Sequence, residues 1–367
     1  MISNFTIERW NFIENAAKKW WTGELSGPWL QGMVYGAPSE LEEPELYRHP
    51  DKDYIIGMQG PIYDFNVPAV KVVEAFEYEL STRQYLGYGA PIFWPNFGPG
   101  SLASALTETL IPQQRKGTVW FHANNPINLE NWVVKFDHLT PYFRRKTEIY
   151  KLMSERWGNQ IQISAPDFGG VMDVLVSFRH NENLLMDLYD NPDSVKSAVS
   201  QLHNAWFEAF DAIDSIIINN NHGKTAWDGF FFPGSQFILQ CDFCAMIGPE
   251  LFQEFVLPEL KVVAAKFDFA TYHLDGPGEI PHLDLLLKCP EIDIIQWVPT
   301  AGPRDAINWI DLYKRCLDAG KKIMLTGSTI EVFEIISAKL GVNNVMWEGW
   351  YHYSEMDKLK SFIDKHL

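Results

Sequence analysis

The sequence predicts an α/β protein, built as a (β/α)8 TIM barrel with an N-terminal helical extension, in a single domain that spans residues 1–367. Strand-like and helix-like segments alternate along the chain, which is typical of a parallel sheet surrounded by helices. A length of 367 residues also suits one large barrel. Eight segments read as its main strands, and they begin near Trp29, Pro91, Gln160, Ala226, Thr271, Ile292, Lys322 and Asn344.

The first element is an amphipathic helix over Phe5 to Thr22. Ile7, Trp10 and Ile13 recur at the spacing of one helix face, and the stretch from Gly23 to Pro28 ends the pattern. Residues 1–27 are therefore predicted to form a lead-in to the barrel.

The strands are short apolar runs that end in polar, Gly-rich or Pro-rich loops. The run from Trp29 to Tyr35 comes first, and Pro91 to Pro95 opens onto Asn96. Gln160 to Ala165 is followed by a loop that contains Asp167, and Ala226 to Asp242 carries further strand-like segments. Thr118 to Phe121 has the pattern of an additional strand.

The helices between these strands have apolar residues at helical spacing, and several have proline in the first turn, where no backbone N–H is needed. They are predicted at Val67–Leu86, Leu102–Leu110, Leu139–Trp157, Pro192–Ile218, Pro249–Phe267, Trp309–Ala319, Ile330–Leu340 and Asp357–Leu367, with a shorter amphipathic piece from His282 to Leu287.

The charge of the chain argues against nucleic acid as a partner. The net charge is −17 and the pI is about 5.0. The longest basic run is Arg144-Arg145-Lys146, with Glu148 close behind it. Binding of phosphates needs a basic face. A strongly anionic substrate would likewise need local arginines to overcome this field.

The sequence also predicts a cytoplasmic protein that does not enter a membrane. The first ten residues include Glu8 and no apolar run, so neither a signal peptide nor a spanning segment is predicted. Four cysteines in a chain of this length do not suggest a disulfide framework. The pair in Cys241-Asp-Phe-Cys244 is predicted to be two buried thiols, since no second pair accompanies it.

Candidate site residues follow the strands, where barrels place their ligands. His273 and Asp275 are two positions apart and so point to the same face of a strand. Asp242 follows another strand in an apolar context, where a carboxylate needs a partner. These three are the predicted catalytic residues, and the predicted substrate-binding residues are Asn96, Asp167, Gln296, Trp297 and Trp347. The fourteen tryptophans supply either ligand walls or ordinary core.

Two interpretations of the acidic residues remain open. His273, Asp275 and Glu348 would meet at one rim of a closed barrel, and an imidazole with two carboxylates could bind a divalent metal. The same residues could instead form an acid/base or hydrogen-bonding group without a metal.

Three stretches resemble the uroporphyrinogen decarboxylase-like superfamily of barrels: His273-Leu-Asp-Gly276, residues 247–258 (Ile-Gly-Pro-Glu-Leu-Phe-Gln-Glu-Phe-Val-Leu-Pro) and residues 292–299 (Ile-Asp-Ile-Ile-Gln-Trp-Val-Pro). The superfamily includes zinc enzymes that move methyl groups to or from corrinoid cofactors. The resemblance implies a metal-dependent methyltransferase that moves a methyl group from a small O- or N-methylated substrate to a separate corrinoid protein. It also implies a possible homodimer.

The chain departs from both branches of that superfamily. The methyltransferases hold zinc with a His-x-Cys-Gly motif and a later cysteine, and the matching positions here are Asp275 and Glu348. Oxygen ligands would make a harder metal site. True decarboxylases bind substrate carboxylates with N-terminal arginines, but Pro28 to Pro38 contains no arginine.

The alternative function is a decarboxylase or lyase that uses metal-free acid/base chemistry. A further alternative is a barrel that binds an aromatic or carbohydrate ligand without turnover.

Overall fold

The computed structural model describes residues 5–115, 117–299 and 306–367. It is a mixed α/β structure around a seven-stranded, mostly parallel sheet. The strands of the described residues are β1 (Trp29–Tyr35), β2 (Gln84–Gly87), β3 (Ile92–Phe93), β4 (Pro112–Arg115), β5 (Thr118–Phe121), β6 (Gln162–Ile163), β7 (Gln236–Leu239), β8 (Phe269–Asp275), β9 (Ile294–Val298), β10 (Lys322–Leu325) and β11 (Val345–His352).

The central sheet has the order β2-β1-β11-β10-β9-β8-β7. All neighbours are parallel except β1 and β2, which are antiparallel. Strands β3 and β6 form a separate parallel pair, and β4 and β5 form an antiparallel hairpin. The strand pairs found among the described residues do not join into one closed sheet.

Helices cover the outer face of the sheet. They are α1 (Ile7–Trp21), α2 (Lys52–Ile55), α3 (Gln59–Tyr63), α4 (Ala69–Ser81), α5 (Pro141–Trp157), α6 (Val171–Arg179), α7 (Asn181–Asp190), α8 (Pro192–Ile217), α9 (Pro249–Leu251), α10 (Leu257–Ala264), α11 (Leu283–Leu287), α12 (Ile310–Asp318), α13 (Ile330–Leu340) and α14 (Met356–His366). Within the described ranges, none of the helices combines the length and the apolar character that a bilayer crossing requires.

Alternation along the strands divides the core into two clusters. Residues of one parity, such as Trp29, Ile294, Met324 and Met346, pack together on the inner face. Residues of the other parity pack against the helices in a larger outer cluster. Because side chains of a strand point alternately to its two faces, a residue and its immediate neighbour cannot line the same site.

Helix α1 closes the inner cluster at the amino-terminal ends of the strands. Its Trp20 ring lies 5.9 Å from that of Trp29, the first residue of β1, and its Trp21 ring lies 4.3 Å from Phe269, the first residue of β8. The Thr6 hydroxyl accepts a hydrogen bond from the Arg9 amide and so caps the helix. The predicted lead-in helix is thus confirmed at residues 7–21, while residues 1–4 lie outside the described part of the chain.

Three predicted helices differ from the structure. The predicted helix Val67–Leu86 ends at Ser81, and its last residues form strand β2 instead, where they pair with β1. The segment Leu102–Leu110 contains only a 3-10 turn over Ser101–Ala105. In Pro249–Phe267 a π-helical segment, Phe252–Val256, separates α9 from α10. Pro258 explains the third case, since it has no N–H for the regular helical bond.

Gly170 offers a direct test of the packing between the start of α6 and the segment that follows β7. A Cβ atom at this position would collide with the backbone oxygen of Gln240. We expect Gly170→Ala to lower the free energy of unfolding by about 1–3 kcal/mol, as overpacking typically does. Gly248→Ala is the matched control, because Gly248 also precedes a helix with negative φ and its nearest neighbour lies 3.5 Å away. Equal stability of the two variants in urea unfolding would contradict the expected collision.

Candidate active site

A cavity of about 700 Å³ lies toward the carboxyl ends of β1, β9, β10 and β11. Aromatic rings and polar side chains line it together, which is typical of sites for small organic ligands. Its main aromatic residues are Tyr35, Phe76, Tyr85, Phe93, Trp94, Trp227 and Trp350, and its main polar residues are Gln31, Glu79, Arg83, Asn96, Asp228, Gln296, Thr326 and Glu348.

Strand register brings the central polar groups of this cavity together. Gln31 on β1 pairs directly with Glu348 on β11, so both side chains point to the inner face. On β9, Gln296 lies beside His273 of β8 and faces the same way. Three of the predicted site residues therefore line the cavity, namely Asn96, Gln296 and Glu348.

Glu348 is the most enclosed acid of the cavity, with only 7% of its surface exposed. Its Oε1 accepts a hydrogen bond of 3.0 Å from Gln31 Nε2, whereas its Oε2 is buried and has no hydrogen-bond partner among the described residues. Burial raises the pKa of Glu348 to about 7, and the nearby Trp350 and Gln31 side chains oppose that rise. The indole of Trp350 is close, but it does not complete a hydrogen bond to Oε2. At neutral pH, Glu348 is thus partly protonated.

Asp228 is a second buried acid on the cavity wall. Its Oδ2 accepts a 2.7 Å hydrogen bond from Gln236, and its Oδ1 accepts one of 3.3 Å from the Phe230 amide. Burial raises the pKa of Asp228 to about 7, and these hydrogen bonds lower it in part. A charge on Asp228 in turn raises the pKa of Glu348. A negative charge on Asp228 therefore makes it easier for Glu348 to keep its proton.

Arg83 and Glu79 form an ion pair in another part of the cavity wall. The guanidinium lies 5.8 Å from the centre of the Phe93 ring. Arg83 lowers the pKa of Glu348 slightly, which shows that its charge reaches that acid. Since Glu79 balances this charge, the described cavity wall carries no net positive group.

His273 lies next to the cavity, behind Gln296 and Trp227. Its Nδ1 is 2.5 Å from Gln296 Oε1, and the amide nitrogen of Gln296 donates to Thr326 Oγ1 at 3.1 Å. This series of hydrogen bonds places the imidazole proton of His273 on Nδ1, because Gln296 Oε1 can only accept a hydrogen bond. The lone pair of a neutral His273 is then on Nε2, where it can act as a base. The ring of Trp227 meets the imidazole edge-on at 5.0 Å.

Asp242 and Asp275 lie near His273, so the structure brings the three predicted catalytic residues together. Asp242 sits on the loop after β7 with an exposed side chain. The pKa of Asp242 is raised mainly because neighbouring protein atoms displace water from its carboxylate. The charge of Asp275 raises this pKa further, and His273 lowers it. None of the three is a direct part of the cavity wall. They form a polar group beside the cavity that joins it through His273 and Gln296.

Asp167 lies in a buried network away from the cavity. Its Oδ1 accepts hydrogen bonds from the Gly169 amide at 2.8 Å and from Gln240 at 3.2 Å. Burial raises the pKa of Asp167 to about 7, and nearby Lys146 opposes this. The ammonium group of Lys146 is fully buried and donates to Ser101 Oγ at 2.8 Å. These contacts tie the loops after β3 and β6 to α5 and support the walls of the site.

The two predicted tryptophan walls lie on the opposite face of the sheet. The ring of Trp297 meets that of Trp309 edge-on, with 4.7 Å between ring centres, and the ring of Trp347 packs against Phe362 with 5.0 Å between ring centres. Trp297 directly follows Gln296, and Trp347 directly precedes Glu348. Because successive side chains of a strand point to opposite faces, both tryptophans point to the helical side of the sheet. The aromatic walls come instead from Trp94, Trp227 and Trp350.

The structure does not bring the predicted metal ligands His273, Asp275 and Glu348 into one metal-binding group. In residues 5–115, 117–299 and 306–367, no three His, Cys, Asp or Glu side chains form a group that could hold a metal ion. Glu348 turns toward Gln31, while His273 turns toward Gln296. In this arrangement the three predicted ligands cannot bind one divalent metal ion together. Zinc at His273, Asp275 and Glu348 stays a prediction.

The two thiols of the Cys241-x-x-Cys244 segment are buried and free, as the sequence predicts. They lie on the helical side of the sheet, where Cys244 Sγ is 3.7 Å from the Tyr272 hydroxyl. Cys241 and His282 lower the pKa of the Cys244 thiol to about 6, although burial opposes them. Full burial keeps both thiols away from the cavity.

Sequence reasoning missed Gln31, Arg83, Trp227 and Asp228. Asp228 was missed because the stretch from Ala226 to Asp242 was predicted to carry strand-like segments with its site residue at Asp242, whereas strand β7 begins only at Gln236. The Asp228-Gly229 dipeptide was the signal available in the sequence, since this pair is typical of turns, and Gly229 has φ +76° in the structure. Arg83 was hidden because the preceding helix seemed to continue through it.

Comparison of the chain with protein-family models and with curated proteins finds no match. The resemblance to the uroporphyrinogen decarboxylase-like superfamily therefore remains a prediction from the three quoted stretches.

Proposed function

We propose that this chain is an enzyme that removes a methyl group from the oxygen or nitrogen of a small organic substrate bound in the aromatic cavity. The observation that carries the proposal is Glu348, a carboxyl group with a pKa of about 7 whose Oε2 is buried at the cavity wall without a partner among the described residues. Such a group is suited to general acid catalysis near neutral pH.

The acid meets a specific need of demethylation. When the bond from the methyl carbon to the heteroatom breaks, the electron pair stays on the heteroatom and the methyl group leaves as a cation equivalent. An ether oxygen or a neutral amine nitrogen then needs a proton to become a neutral alcohol or amine, whereas a cationic amine becomes neutral without one. Glu348 can donate that proton and becomes a carboxylate, which Gln31 Nε2 stabilises through its hydrogen bond at 3.0 Å.

The methyl group needs a nucleophile as acceptor. A corrinoid on a separate protein would supply that nucleophile when it is bound, in line with the resemblance. Proton donation by Glu348 needs no metal, and the predicted trio of His273, Asp275 and Glu348 does not form a metal site in the described arrangement. Asn96, Gln296 and the tryptophans would orient the substrate, and Asp228 would keep Glu348 protonated.

A second candidate is a decarboxylase or lyase that uses Asp242, His273 and Asp275. The effect of Asp275 and His273 on the pKa of Asp242 favours it, as does the lone pair that Gln296 leaves on His273 Nε2. Decarboxylation, however, requires a carboxylate in or beside a cavity with two buried acids and one arginine already paired to Glu79. Coulomb repulsion makes that binding unfavourable, so we place demethylation first.

We also propose that the sheet belongs to a (β/α)8 barrel. Single backbone hydrogen bonds support this closure where the central sheet is open. The amide of Tyr88 donates to Leu30 O at 2.7 Å, and the amide of Ser164 donates to Phe93 O at 2.9 Å. The amides of Ala165 and Gln236 donate to Thr225 O and Lys224 O at 2.9 and 3.0 Å. These bonds lead from β1 through β3 and β6 toward β7.

The proposal is tested by methyl transfer to free cob(I)alamin. We expect the purified protein, mixed with a panel of O- and N-methylated compounds, to form methylated cobalamin with at least one of them and to release the demethylated product, which mass spectrometry detects. A panel in which no compound loses a methyl group, while a carboxylated compound releases carbon dioxide, would favour the lyase and contradict the proposal.

A further inference from the structure

We infer that the group recognised in the cavity is a cationic amine, an ammonium nitrogen that carries one or more methyl groups. This inference rests on the proposed function for the fate of the methyl group, but the recognition itself is argued from contacts alone. It names the substrate class that the proposed function leaves open between oxygen and nitrogen. Loss of a methyl group from a cationic amine leaves a neutral amine, so for this substrate class Glu348 binds the ammonium group as a carboxylate and does not donate a proton.

Two buried acceptor atoms at the cavity wall lack donors. Gln31 uses its amide nitrogen twice, toward Gly229 O and Glu348 Oε1, each at 3.0 Å. This fixes the orientation of the Gln31 amide and leaves Gln31 Oε1 without a hydrogen-bond donor among the described residues. Glu348 Oε2 also lacks a donor among these residues. Their side chains are only 4% and 7% exposed. Buried acceptors without donors are costly, so a ligand with N–H groups would satisfy both.

The walls around these acceptors suit a positive charge. Trp94 and Trp227 lie 6.1 Å apart between ring centres, and Trp350 and Tyr85 add further ring surface. Aromatic faces attract ammonium groups through their quadrupoles, and methylated ammonium groups are typical ligands of such walls. Trp94 Nε1 is itself a buried donor without a partner among the described residues, so it would suit a hydroxyl or carbonyl oxygen near the amine.

The charges that face Glu348 also favour a cation. Asp228 raises its pKa, and Arg83 opposes this only weakly, because Glu79 pairs with that guanidinium. Without a ligand, the pair Asp228 and Glu348 tends to hold protons, because burial of two negative charges is unfavourable. An ammonium group would replace the proton of Glu348 and form an ion pair with its carboxylate.

Three probes separate charge, N–H donation and shape. They are 2-(dimethylamino)ethanol, which is protonated at neutral pH, choline, and 3,3-dimethyl-1-butanol, the neutral carbon analogue of choline. By calorimetry, we expect both cations to bind at least about tenfold more tightly than the neutral alcohol, and the protonated amine to bind best. Equal affinity of the alcohol and choline would overturn the inference.

Variants localise the effect. Glu348→Gln keeps the size of the side chain, and we expect it to weaken choline binding about tenfold while binding of the neutral alcohol stays unchanged. The matched control is Glu259→Gln, which removes a buried acid with a pKa of about 8 outside the cavity. The inference also fails if both variants bind choline equally well.

The inference and the proposed function can fail separately. If the cations bind as described but no N-methyl compound loses a methyl group to cob(I)alamin, the recognition stands and demethylation is wrong. If only neutral O-methylated compounds bind and are demethylated, the proposed function stands and the inference that the cavity recognises a cationic amine is wrong.

Discussion

Replacement of Glu348 by glutamine is expected to lower the rate of methyl transfer by about 10²- to 10⁴-fold, the usual contribution of a general acid. The amide cannot deliver a proton to the leaving heteroatom, whereas its shape and its contact with Gln31 remain possible. The measurement is the single-turnover rate of cob(I)alamin methylation with an O-methylated substrate from the panel, whose oxygen needs the proton. Substrate affinity is measured separately, so that a loss of chemistry is distinguished from a loss of binding.

The pH dependence of the wild type supports the same assignment. With an O-methylated substrate, the active form of Glu348 is the protonated one, so the rate should fall as the pH rises through about 7. An ammonium substrate needs no proton from Glu348, so its rate should not show this fall. Glu259→Gln should keep the wild-type rate, because Glu259 accepts a hydrogen bond from the Val171 amide and does not line the cavity. A Glu348→Gln enzyme with full rate would show that another group supplies the proton.

Trp206→Ala is expected to destabilise the fold by about 3–5 kcal/mol, as large truncations in a core do. Trp206 on α8 is 1% exposed and lies in the outer cluster, between its own helix and the sheet. Its ring meets Phe237 of β7 edge-on at 4.9 Å and stacks with Phe210 at 5.4 Å. The small side chain would leave a cavity that these rings cannot fill without shifting. Urea unfolding measures the change.

The control for this variant is Trp120→Ala. Trp120 lies on β5 with 43% of its surface exposed, and its nearest ring is His122 at 6.2 Å. We expect a change in unfolding free energy within about 0.5 kcal/mol, because surface substitutions away from special features have small effects. Comparable losses in both variants would indicate that Trp206 does not anchor α8 to the sheet.

Helix and strand positions were largely predictable because they depend on local patterns. Strand β1 and helix α13 match the predicted ranges, since their apolar spacing and terminal residues leave little ambiguity. The prediction was wrong for Gln84–Gly87, which has the local pattern of a helix end but pairs with β1. Its conformation depends on a strand about fifty residues earlier, and a local pattern carries no information about that partner.

The candidate site divides in the same way. The sequence by itself determined that Asn96, Gln296 and Glu348 are polar residues in or just after strands, because alternation and turn residues are local properties. Only the tertiary structure decided that Glu348 meets Gln31 and Asp228 rather than His273. That choice depends on the register between strands distant in the chain, and on the burial that raises the pKa of Glu348 to about 7. Burial and register are properties of the assembled sheet, so they appear only when the strands come together.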